Sequence, residues 1–154
     1  MAIADFLMKP IVNLMVERPG RKLPLAGWAQ KLAESGEAIN KRVATAQTPQ
    51  GAATLRHITG IERWGQRRLQ VALGEPFVLD EYDGYQPAAD ADLATLREAF
   101  RTTRQATVEL AQKLAAAGVS DEVKIRHNQF GPVTVRGWLS YLTTHANFES
   151  KRIR

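Results

Sequence analysis

The chain has 154 residues, of which 44% are hydrophobic, a formal net charge of +5 and no cysteine. That length and apolar content suffice for one core without cross-links, and the missing cysteines exclude disulfides, thiolate metal sites and cysteine nucleophiles. The charge permits contact with nucleic acid or a membrane surface, but the bases are scattered and no aromatic-plus-basic RNA motif or helix-turn-helix signature occurs, so nucleic acid is not an expected partner.

In chain order, "IADFLMKPIVNLMV" (3–16) sets Ile3, Phe6, Leu7, Ile11, Leu14 and Met15 at helical spacing, with Pro10 as a kink or a break. The run is shorter than a membrane span and is interrupted by Asp5, Lys9 and Pro10; an acid precedes it and no small-residue cleavage site follows. It reads as a short accessory helix within an accessory segment 1–21, and the expected location is the cytoplasm, with no membrane contact.

After the turn "ERPGRKLP", Leu25, Trp28, Leu32, Ile39 and Val43 mark the inner face of a helix over 25–46, weakened but not ended by Gly36. The breaker "TPQG" (48–51) introduces a helix over 52–73 with Leu55, Ile58, Ile61, Gly65, Leu69 and Leu73 inward. His57 stands one turn before Ile61 and two before Trp64, at the edge of that apolar stripe. "GEPFVLDEYDGYQPAAD" (74–90) has no period and is a long loop, a lid or a packing arm; Phe77, Tyr82 and Tyr85 favour the arm.

The clearest helix spans 91–117, where Leu93, Leu96, Phe100, Thr103, Thr107, Leu110, Leu114 and Ala117 recur in steps of three and four until Gly118. Thr103 and Thr107 put hydroxyls at one level of the seam, and Arg97, Arg101 and Arg104 fall outside it. A connector over 119–132 leads to a helix over 134–152. Thr134 can cap it, Val133 and Trp138 match a hydrophobic staple, and Lys151, Arg152 and Arg154 crowd its end. Its inner face runs Val135, Leu139, Leu142, His145, Ala146, Glu149 and Ile153.

Four substantial helices with little strand signal predict an all-α fold: a four-helix bundle with a short N-terminal accessory helix and two long connectors, one domain over 1–154. Bundle sites are built from inward side chains of facing helices. A carboxylate on the inner face must pair, bind a cation or take up a proton. His145 and Glu149, four residues apart, point the same way, and His57 can join them from another helix. The three would make a two-histidine, one-carboxylate site near Thr103 or Thr107, with open positions for water or substrate, suited to zinc, nickel or iron(II). The other reading of the same residues is that Glu149 pairs with a nearby basic side chain in a frayed last turn.

"TLRHITGIERWGQRRL" (54–69) followed by "FGPVTVRGWLSYLTTHANFESKRI" (130–153) resembles the DinB-like superfamily of damage-inducible bacterial proteins, which includes bacillithiol and mycothiol transferases. The resemblance runs from about residue 22. It implies a four-helix bundle, commonly dimeric, with a divalent metal held by a histidine of the second helix and two histidines four apart in the last. His57 matches the first position and His145 the second; at the third, Glu149 stands where a histidine is usual.

Two functions follow from the resemblance. One is a metal-dependent thiol transferase or hydrolase acting on a small molecule, and without cysteines any thiol is a low-molecular-weight cosubstrate. The other is a non-catalytic dimeric stress-response or binding protein with a degenerate metal site. A homodimer is expected on either reading, since the amphipathic segment 3–16 adds apolar surface beyond what four helices need.

Overall fold

The computed structural model describes residues 8–153. Ile3, Phe6 and Leu7, which the first amphipathic pattern includes, lie outside that range. The helical segment α1 covers 8–20; its middle, Asn13–Glu17, is π-helical, and Arg18–Gly20 returns to α-helix. Pro19 has no N–H to give to the preceding turn, and the wider π turn just before it absorbs the mismatch. So "ERPG" is helical, and the expected turn begins only at Arg21.

The remaining long helices are α2 (Leu25–Val43), α3 (Pro49–Gln70, continued by a 3₁₀ turn Val71–Leu73), α4 (Leu93–Ala116) and α5 (Val135–Ser150). Side-chain caps specify three of their starts: Thr48, Asp92 and Thr134 accept from the backbone N–H of Gly51, Thr95 and Gly137 at 3.0, 2.7 and 3.0 Å. Among the described residues these helices form a closed ring of neighbours, α2 against α4, α4 against α3, α3 against α5 and α5 against α2. Fully buried Leu32, Ile39, Leu55, Phe100, Leu114, Trp138 and Leu142 fill the middle.

The second connector carries strands that the sequence did not signal. It holds an antiparallel hairpin of β1 (Lys124–His127) and β2 (Gly131–Thr134), with Ile125 opposite Val133 and Gly131 at φ 74° completing the turn. Ile125 and His127 alternate inward on a strand too short to show a period in sequence. Trp138 on α5 donates its indole N–H to the Ile125 carbonyl at 3.0 Å, which fastens the hairpin to the helix that follows it.

The first connector folds back as an arm, as its aromatics suggested. Its Asp80 carboxylate accepts from the Tyr85 hydroxyl at 2.5 Å and the Trp64 indole at 3.1 Å and lies 2.9 Å from the buried Arg68 guanidinium. The 3₁₀ turn Tyr82–Tyr85 then rests on α3 at Gly60, where a Cβ would meet Gln86 Cγ at 2.6 Å. Any larger residue at 60 would lift the arm.

One expectation about charge is overturned. Arg104 is not on the outside of α4 but is 3% exposed, and it donates to both oxygens of the equally buried Glu62 at 2.6 and 2.8 Å. Gly36 on α2 leaves the room for its side chain. Arg97 caps the end of α2 through the carbonyls of Val43 and Ala46, and Arg101 pairs with Glu98 at the surface.

Candidate metal centre

The helices α3 and α5 pack tightly at Gly65, where a Cβ would lie 2.6 Å from Leu142 Cδ2. His57, two turns earlier on α3, meets His145 of α5, Nε2 to Nε2 at 3.3 Å, with ring centroids 5.2 Å apart. Both rings are half-buried beside the fully inward Ile58, Leu142 and Ala146.

Burial disfavours the charged form of each. The His57 pKa is lowered by desolvation, against the opposing pull of Glu149, and that of His145 is pushed down to about 4 by burial and then by His57. Two neutral imidazoles whose nitrogens face each other have two stable arrangements. One donates a proton to the other, or both turn lone pairs on a shared cation.

The spacing is that of a hydrogen bond, and it fits the second arrangement as well. Metal–imidazole bonds of about 2.0–2.1 Å at a tetrahedral ion separate two ligand nitrogens by roughly 3.3 Å. Neutral rings are also the form that ligation requires.

Residues 49–148 match the DinB superfamily. The chain belongs to the DinB superfamily. No curated protein and no solved structure matches it. The matched span opens on the first residue of α3, contains both histidines, and ends one residue before Glu149.

In this DinB chain, Glu149 lies one helical turn beyond His145, half-buried, with Oε2 at 3.4 Å from the Arg152 guanidinium. Its charge acts on both His57 and Tyr141. Among the described residues no three His, Asp or Glu side chains are gathered closely enough to hold an ion. The structure thus joins His57 to His145 and leaves Glu149 beside Arg152. Thr103 and Thr107 serve a different group: Thr107 donates to Glu62 at 2.7 Å and accepts from Gln66, while Thr103 accepts from Arg63.

Three residues at this end of the core were not read from the sequence as part of a site. Tyr82 sets its ring perpendicular to His57 at 5.1 Å, and Tyr141 lies 5.6 Å from His145. His127, 4% exposed, stacks on Phe130 at 4.1 Å and touches Trp64, Trp138 and Tyr141. Its Nδ1 accepts the backbone N–H of Gln129 and Phe130, which puts the ring proton on a buried Nε2 that has no partner. Tyr141 was legible in principle, since it stands four residues before His145 on the same face. Tyr82 was legible as an aromatic of the arm, but nothing local to it marks a place beside His57. No described helix is long and apolar enough to cross a membrane.

Proposed function

We propose that this chain is a metal-dependent DinB protein of the cytoplasm, a four-helix bundle in which His57 and His145 hold a divalent ion and Glu149 turns from Arg152 to become the third, anionic ligand. Zinc, nickel and iron(II) suit that donor set. The observation that carries the reading is the 3.3 Å separation of two half-buried, neutral imidazole nitrogens.

A bound ion would supply Lewis acidity, polarising a carbonyl or lowering the pKa of a thiol or water, as a thiol transferase or hydrolase acting on a small molecule requires. The chain's own part is different. Burial keeps both imidazoles unprotonated, Glu149 offsets the cation's charge, and the arm holding Tyr82 covers the His57 side. A low-molecular-weight thiol must come from solution because the chain has none.

A second reading has its own support. The Glu149–Arg152 pair keeps the carboxylate occupied, as in a degenerate site in a non-catalytic dimeric stress-response or binding protein. On both readings the partner copy is proposed to cover α1, where Ile11, Leu14 and Met15 are 48%, 59% and 66% exposed.

Elemental analysis of tag-free protein separates the two. The first reading expects near-stoichiometric metal in the wild type, loss in His145→Ala, reduction in Glu149→Gln, and retention or gain in Glu149→His. Wild-type protein without metal, and unable to take it up, sinks it.

A further inference from the structure

The hydroxyls of three tyrosines differ in what they do. Tyr85 spends its O–H on Asp80 at 2.5 Å. Tyr82 and Tyr141 have no hydrogen-bond partner among the described residues, yet each ring touches one member of the histidine pair, Tyr82 against His57 and Tyr141 against His145.

Both rings are fixed. Tyr141 is held between His127, Phe130, Trp138 and His145, at centroid distances of 5.1, 5.6, 5.9 and 5.6 Å. Tyr82 belongs to the 3₁₀ turn seated on Gly60, which the Asp80 network pins on one side and the Arg63 guanidinium, donating to the Tyr85 carbonyl at 3.4 Å, on the other.

A rigid, partly desolvated O–H without an internal acceptor is a preorganised donor for a ligand. Resting on the metal reading above, we propose that Tyr82 and Tyr141 are ligand-binding residues whose phenolic O–H groups donate to an anionic small molecule, a thiolate or a carboxylate, seated beside the His57–His145 pair. The ring contacts position the donors, and the hydroxyls themselves add nothing to the fold. Removing a hydroxyl therefore weakens the ligand and leaves both metal and stability in place.

The test uses cobalt(II)-loaded full-length chain, titrated with 2-mercaptoethanol and separately with acetate, and followed by visible absorption. Cobalt affinity is measured by chelator competition and stability by thermal melting. The expected result is that Tyr82→Phe and Tyr141→Phe melt and bind cobalt as the wild type does, while each binds the preferred probe about tenfold more weakly, the scale of a hydrogen bond to a charged group. Tighter wild-type binding of the thiol assigns a thiolate, and tighter binding of acetate a carboxylate. Wild-type probe affinity in both variants, or cobalt binding without binding of either probe, overturns the tyrosine assignment and leaves the metal reading standing. No cobalt binding by the wild type overturns both.

Discussion

Leu142 of α5 occupies the space that a side chain at Gly65 of α3 would need, with its Cδ2 and Cδ1 at 2.6 and 2.8 Å from an added Cβ. This contact is one of those that let the two helices carrying His57 and His145 pack closely. Leu142 is 1% exposed and cannot swing into solvent, so Gly65→Ala must push the helices apart or force the leucine off its rotamer. The expected cost is about 1–3 kcal/mol, seen as a lowered melting temperature, despite alanine's better helix propensity. An unchanged or raised melting temperature would show that the contact is loose.

The helices were legible because each carries an apolar stripe several turns long. The same stripes located His57 and His145, since a histidine at a stripe's edge has to meet whatever the facing stripe presents. What failed to show were relationships between distant positions. Arg104 looks outward by period and is inward in fact, because Gly36 opens a space and Glu62 supplies the countercharge, and neither lies on its own helix. The hairpin gives no sequence signal because β1 and β2 are four residues each, and the position of Tyr82 beside His57 gives none because it depends on Gly60 of α3.

The Glu62–Arg104 pair sits inside the helix ring with every nitrogen and oxygen of the two groups hydrogen-bonded: Ser35 and the Leu32 carbonyl accept from Nη1 at 3.2 and 3.3 Å, Nε and Nη2 donate to the carboxylate, and so does Thr107. Removing one partner leaves the other charge buried and uncompensated. Glu62→Leu and Arg104→Met are each expected to cost about 3–5 kcal/mol, while the double variant, with no stranded charge, costs less than either. Denaturant unfolding of the four proteins checks this; additive losses would mean that the pair is not coupled.

His127 makes stability depend on pH in a calculable direction. Desolvation first, then the charge of Arg68 and of His145, lower its pKa from 6.5 to about 4. Between those values the unfolded chain binds the proton and the folded chain does not, so stability rises with pH across the window. It is fully present above 6.5 and lost as pH falls toward 4. The share of His127 at about pH 5 is on the order of 2 kcal/mol. His127→Phe, which keeps a ring among Trp64, Phe130 and Trp138, should be weaker at all pH values but show a shallower fall between about pH 7.5 and 5. An equally steep fall would assign the effect to other groups.

Arg152 competes with any cation for Glu149. Its guanidinium lies 3.4 Å from the carboxylate and 5.2 Å from the face of Phe148, and at 57% side-chain exposure it is within easy reach of water and salt. An exposed pair of this kind contributes roughly 0.2–1 kcal/mol, so it can delay a ligand without excluding it. If Glu149 is the third ligand, Arg152→Ala should tighten divalent binding by about two- to fivefold, and added salt should do the same for the wild type but not for the variant. The control is the Glu149→Gln background, where the carboxylate is gone and Arg152→Ala should change nothing. Chelator competition with nickel across the four proteins reads all of this. An equal gain with and without the carboxylate would mean that Arg152 acts on the site through charge alone, and that Glu149 is not the group it holds back.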